Sequence, residues 1–166
     1  MKDNINRKQP TINDVVIRDG IPLFSFLELN INEICNRVCP FCPRANPEAY
    51  PNQNIHMSVE LADKIEKQLS EINFSGIVNI SGTGEPLLTK NIADIIRKFG
   101  EKNIHIEVVT NGDVLSTKIG PKIIKDVYNA GLKQFVVSMY DGPEQINHFN
   151  KLFQESGIDE SMYSLR

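Results

Sequence analysis

Four apolar runs, most of them followed by an amphipathic stripe at helical spacing, do most to limit what this chain can fold into. The runs are Leu23-Phe24-Ser25-Phe26-Leu27-Glu28-Leu29, Ile77-Val78-Asn79-Ile80, Ile104 to Val109, and Phe135-Val136-Val137. The first is apolar on both faces, as a strand buried in a parallel sheet is. The third is β-branched along most of its length. Between the runs, Ser58 is placed to cap a helix in which Ala62, Ile65, Leu69 and Ile72 recur at three and four residues. A second stripe, Ile92, Ile95, Ile96 and Phe99, stops at Gly100, a helix C-cap. A third begins at Pro121, carries Ile124, Val127 and Tyr128 inward, and ends at Gly131. Pro143 opens a last helix with Ile146, Phe149 and Phe153 on one side. This alternation predicts an α/β domain of about four βα units, with parallel strands and right-handed crossovers. Ahead of it, Asp19-Gly20 after Val15-Val16-Ile17 predicts an N-terminal hairpin.

With 166 residues, the chain fits one domain. We expect a flexible segment over 1–13, a core over 14–157, and a tail over 158–166 in which no strand is evident. A net charge of −3 gives no electrostatic footprint for nucleic acid or acidic membranes. Lys118, Lys122 and Lys125 read as a solvated helix face. Met1 to Lys8 lacks the apolar run of a signal peptide, and no stretch approaches the ~20 apolar residues that span a bilayer. The expected location is therefore the cytoplasm. Three cysteines packed into eight residues do not resemble a secreted disulfide framework.

Those cysteines form Cys35-Asn36-Arg37-Val38-Cys39-Pro40-Phe41-Cys42, a C-x3-C-x2-C spacing just after the first run. Soft thiolates at short intervals suit zinc or an iron–sulfur cluster. With only three cysteines in the sequence, a cluster here either recruits another residue or keeps one position open, as catalytic metal sites do. The bland alternatives are a structural zinc site completed by His56, His105 or His148, a Cys39–Cys42 redox pair, and incidental thiols. The second run ends in Ser81-Gly82-Thr83-Gly84-Glu85-Pro86, whose glycines permit a tight turn close to a ligand. Glu85 then lies at the carboxyl edge of the sheet, able to accept hydrogen bonds from an ammonium. The third run ends in Thr110-Asn111-Gly112 and the fourth in Ser138-Met139-Tyr140-Asp141-Gly142. Both read as turns, and both lie on the edge where α/β folds place ligands.

The cysteine spacing, with an aromatic residue immediately before the third cysteine, resembles the signature of the radical S-adenosylmethionine (SAM) superfamily. The wider string from Leu27-Glu28-Leu29-Asn30 to Cys42-Pro43-Arg44 is similar to its SPASM-type members. The resemblance implies a partial (βα) barrel in which Cys35, Cys39 and Cys42 bind three irons of a 4Fe–4S cluster and SAM chelates the fourth. It further implies that Phe41 packs by the cluster and offers its backbone to the adenine. Gly82-Thr83-Gly84-Glu85-Pro86 resembles the Gly-Gly-Glu-Pro motif that binds the SAM amino group, with Thr83 where a glycine is commonest. Thr110, Asn111 and Ser138 stand where family members often contact the SAM carboxylate and ribose, while Tyr140 and Asp141 are weaker candidates that could face a substrate. The implied chemistry is reductive cleavage of SAM to a 5′-deoxyadenosyl radical that abstracts hydrogen from a substrate, with a flavodoxin or ferredoxin as electron donor. Peptide or protein is the substrate class toward which the cysteine loop leans.

The family core usually has six strands, and four are evident here. The expectation that follows is an open edge at the fourth strand, met by a partner chain, by self-association, or by further strands of a longer enzyme. Activating enzymes of anaerobic ribonucleotide reductase resemble cores of similar length. A catalytically silent cluster-binding remnant is the rival within the same fold.

Overall fold

A computed structural model describes residues 15–166; the segment 1–13, expected to be flexible, lies outside the described residues. β1 (Ile17–Arg18) and β2 (Ile21–Pro22) pair antiparallel as a separate two-stranded sheet. Their turn places Asp19 at φ 51° and Gly20 at φ 79°, the left-handed pair that a two-residue hairpin needs. The hairpin bonding runs on to Leu23, whose N donates to Val16 O at 2.8 Å. The first apolar run enters the main sheet only from Phe26.

That sheet has five parallel strands in chain order: β3 (Phe26–Leu29), β4 (Ile77–Ile80), β5 (His105–Thr110), β6 (Gln134–Val137) and β7 (Tyr163–Leu165). Helices α1 (Val59–Glu71), α2 (Ile92–Gly100), α3 (Gly120–Asn129) and α4 (Gln145–Glu155) supply the crossovers. Ser58 caps α1 by accepting from Leu61 N at 3.2 Å. Gly131, at φ 108°, follows α3 where a chain leaves a helix. Gly100 is the last residue of α2 rather than its cap, and the left-handed turn falls at Asn103, φ 56°.

The register explains the two faces. Leu29, Ile80, Val108, Phe135 and Tyr163 make one row across all five strands and pack with Ala62, Leu69, Ile95, Phe99, Ile124, Phe149 and Phe153 from the helices in a single core. The adjacent row, Glu28, Asn79, Glu107 and Gln134, points to the opposite face and is polar. Ile146, expected on the inner side of α4, is instead exposed: at the first turn of that helix it lies beyond the reach of the core that Phe149 and Phe153 fill.

The tail expected to lack a strand supplies one. Tyr163, Ser164 and Leu165 pair parallel with Phe135, Val136 and Val137, so β6 is interior and the predicted open edge at the fourth strand is corrected. Three residues are too short for a periodic signal. What places them is side-chain support from the helices: the Tyr163 ring stacks on Phe153 with centroids 4.2 Å apart, its hydroxyl donates to Asn150 Oδ1 at 2.9 Å, and Tyr128 donates to Met162 O at 2.7 Å.

Candidate functional site

The carboxyl ends of β3, β4, β5 and β6 lead into the cysteine loop, the glycine-rich turn, Thr110-Asn111-Gly112 and Ser138. Side chains join these segments directly. Asn52 grips Cys35 at both main-chain groups, accepting from Cys35 N at 2.9 Å and donating to Cys35 O at 3.0 Å. The Cys35 sulfur faces two donors, Arg37 N at 3.4 Å and Asn111 Nδ2 at 3.9 Å. Asn111 also donates to Asn36 Oδ1 at 2.9 Å. A turn from Cys42 N to Cys39 O, 2.9 Å, closes the second half of the loop. All three cysteines are free thiols of intermediate exposure. Burial pushes the Cys35 thiol up, with Glu85 adding to that and Arg44 opposing it.

Glu85 is 2% exposed, and its carboxylate is occupied by the protein itself. It accepts from Thr110 Oγ1 at 2.7 Å, Asn111 N at 2.9 Å and Leu87 N at 3.1 Å, three of the roughly four acceptor positions a carboxylate offers. Its main chain binds the cysteine side, through Glu85 N to Ile34 O at 2.8 Å and Asn32 Nδ2 to Glu85 O at 2.7 Å. The residue expected to reach toward an ammonium therefore sits at the hub of three segments. Thr110, 2% exposed, is committed to it.

Thr83, standing where the resemblance expects glycine, is accommodated by two partners: its hydroxyl donates to Tyr50 Oη at 3.0 Å and its carbonyl accepts from Arg44 Nε at 2.6 Å. Gly82 has φ 125°. At Gly84 an added Cβ would overlap the Asn32 side chain and carbonyl oxygen, so Gly84→Ala should push Asn32 off both Glu85 and Thr89. The expected cost is about 3 kcal/mol, the upper range for overpacking, read as a lowered denaturant midpoint at unchanged m-value.

Burial pushes the Glu85 carboxyl above its usual range, against the pull of its three donors. The stability it contributes is fully present below the unfolded value of about 4.3 and declines as pH rises through the raised folded value. Glu85→Gln removes that slope but sets an amide NH2 against one of the donors, costing about 1–3 kcal/mol. Denaturant unfolding from pH 4 upward should show the gap between parent and variant narrowing.

Ser138, 4% exposed, accepts from Arg166 Nε at 3.3 Å. Phe41 is 73% exposed, its ring 5.4 Å from that of Tyr140. The histidines weighed for zinc are each engaged with other side chains: His56 is bonded to Thr89 and Asn54, His105 faces Glu107 at 3.7 Å, and His148 meets Ser116 at 3.0 Å. Among the described residues, no three His, Cys, Asp or Glu side chains form a converged metal cage. The donor set still fits an iron–sulfur cluster: three thiols on one loop, anchored by Asn52 and Asn111.

Sequence reasoning missed the side chains that assemble the site. Arg44, 4% exposed, donates to Thr83 O, Pro51 O, Asn52 Oδ1 and Glu33 Oε2 and lies 5.0 Å over the Tyr50 ring. Arg37 pairs with Asp113 and Asp141. A buried arginine leaves no linear signal, because its partners are distant in the chain.

A thiol loop and a glycine-rich turn side by side at the carboxyl edge of a parallel sheet define a cofactor-binding α/β core. The Radical SAM superfamily model matches residues 29–166, and the chain belongs to that family. Its members use a 4Fe–4S cluster and SAM. Among relatives, the S-adenosyl-L-methionine-dependent 2-deoxy-scyllo-inosamine dehydrogenase of Niallia circulans is 30% identical over 122 residues, covering 72% of this chain and 46% of its own. A GTP 3',8-cyclase of Thermodesulfovibrio yellowstonii is 32% identical over 164 residues, covering 96% and 43%. A crystal structure of BtrN in complex with AdoMet and 2-DOIA shares the fold, with a TM-score of 0.69 and 24% identity over 86% of this chain and 56% of that one. The chain thus spans about half the length of the relatives it matches. Among the described residues no helix is long and apolar enough to cross a membrane.

Proposed function

We propose that this chain is the cluster- and SAM-binding core of a radical SAM enzyme of oxidoreductase type, with Cys35, Cys39 and Cys42 as the iron ligands. The observation that carries the reading is the direct bonding of the thiol loop to both neighbouring strand ends, through Asn111 to Cys35 and Asn36 and through Glu85 to Ile34, Thr110 and Asn111. Three thiolates without a fourth leave one coordination position for a ligand. Cys35, Cys39 and Cys42 would hold the cluster, which would supply the one-electron reductive cleavage of SAM from which hydrogen abstraction at the substrate would follow.

The residues of this chain bind and orient. The Gly82-Thr83-Gly84-Glu85 backbone receives the methionyl end, with the Glu85 carboxylate bracing that turn against β5 rather than reaching out. Asn111 and Ser138 border the same edge and orient the carboxylate and ribose, with Thr110 held behind them. Phe41, resting on Tyr140, screens the outer side and presents its backbone to the adenine. The electron donor is a small redox protein of the flavodoxin or ferredoxin class, and the compartment a reducing one, the cytoplasm.

For the substrate, a small polar molecule oxidised at a carbon bearing hydroxyl or amine is the favoured class. It is supported by the relative named as an inosamine dehydrogenase and by the polar row Glu28, Asn79, Glu107 and Gln134 on the sheet face away from the helices. A peptide substrate is the second class, toward which the cysteine-loop resemblance leans. Anaerobic reconstitution followed by reduction with dithionite and SAM tests the proposal: 5′-deoxyadenosine should accumulate. An intact cluster that yields none identifies a silent remnant, and stoichiometric zinc in place of iron identifies a structural module.

A further inference from the structure

Residues 33–42, which carry all three thiols, contain no helix or strand. Main-chain hydrogen bonds tie the loop down as far as Ile34, through Glu33 N to Ile55 O at 3.0 Å and Glu85 N to Ile34 O at 2.8 Å, and from Cys35 to Arg37 side chains take over. One guanidinium is among them, beside the amides of Asn52 and Asn111. Arg37, between the first two cysteines, presents Nε and Nη2 to the two carboxylate oxygens of Asp113, and Nη1 and Nη2 to those of Asp141. The Nε contact is 2.7 Å and the Nη1 contact 2.8 Å. Asp113 follows β5 and Asp141 follows β6, so one side chain locks the loop to two strand ends at once. Asp113 also accepts from Asn36 Nδ2 at 2.7 Å, and the Tyr140 ring lies 5.8 Å from the guanidinium carbon. Both pairings are bidentate, a geometry that a planar fork makes and an ammonium cannot. Arg37 is 18% exposed against 32% for Asp113 and 56% for Asp141, so Asp113 is the better shielded anchor.

We infer that Arg37 is a positioning residue that, through Asp113 and Asp141, fixes the cysteine loop over β5 and β6 and thereby governs how tightly the protein retains its cluster. The inference rests on the functional reading above. Outer partners of metal ligands, when removed, cost about 10–100-fold in metal affinity, and the clamp falls in that class although it touches no sulfur with its side chain. Its partly exposed half, toward Asp141, makes retention weaken with salt, since screening acts on exposed pairs more than on shielded ones.

The test compares the parent with Arg37→Lys, Arg37→Gln and Asp113→Asn. Two readouts are taken: release of iron from the anaerobically loaded protein to a ferrous chelator, and hydrogen exchange of the 36–39 amides in the cluster-free protein. Arg37→Gln and Asp113→Asn should release iron at least about tenfold faster and exchange those amides faster, while the melting temperature of the cluster-free protein stays near that of the parent. Arg37→Lys should rescue little, because it restores charge without the fork. Iron release within twofold of the parent, or amide exchange unchanged, overturns the inference. A parent that takes up no iron sinks the functional reading instead, and amide exchange alone then decides whether the clamp fixes the loop.

Discussion

Serine at Cys35, Cys39 or Cys42 is expected to strip the anaerobically loaded protein of its iron, with the parent holding roughly four irons per chain. A hydroxyl is nearly the size of a thiol but is a hard donor that stays protonated at neutral pH, so the soft thiolate that an iron–sulfur centre requires is lost. The drop should exceed the ~10–100-fold that removal of an outer partner costs. Because the three thiols lie on a half-exposed loop, the cluster-free variants should keep their stability to within about 0.5 kcal/mol, which separates loss of a ligand from loss of the fold. Cys35→Ser carries the further expectation that Asn111 loses its sulfur contact while Asn52 keeps its grip on the main chain of residue 35. Iron and sulfide analysis with the visible spectrum checks all three. A triple serine variant loading as much iron as the parent would end the proposal.

Phe153→Ala is expected to cost about 3–5 kcal/mol, a large part of the total for a domain of this kind. The ring is fully buried, 5.8 Å from Phe135 and stacked at 4.2 Å on Tyr163. Its removal opens a cavity beneath the last strand and takes away the platform that holds that strand down. The loss should therefore be uneven. Amides bonded across the β6–β7 edge, Arg166 N to Val137 O and Met139 N to Arg166 O, should lose exchange protection before those of β4 and β5. A denaturant midpoint shift worth under about 1 kcal/mol, or uniform loss of protection, would show that β7 does not depend on this stack.

The longer elements were readable from the residues because each is written locally. Ile92, Ile95, Ile96 and Phe99 must share a face if the segment is helical, and all four are buried. The cysteine loop and the Gly84-Glu85-Pro86 turn were readable for the same reason, as short strings whose chemistry is in their spacing. Ile146 failed because periodicity marks a face without saying how far along the helix the core extends. β7 failed because Tyr-Ser-Leu is too short to carry a period, and its position comes from Phe153, Asn150 and Tyr128.

From residue order alone came the three thiols on one loop and the alternation of strand with helix that puts them at the edge of a parallel sheet. Tertiary structure alone decided what those thiols stand beside. It turned the Glu85 carboxylate inward onto Thr110 and Asn111, and it chose Asp113 and Asp141 for Arg37, partners 76 and 104 residues away. Such pairings depend on which strands are neighbours and in what register, and register is a property of the assembled sheet. A charge or a hydrogen-bonding group in a sequence carries its chemistry with it, whereas its partner is fixed only when the backbone brings two distant strand ends within about 3 Å.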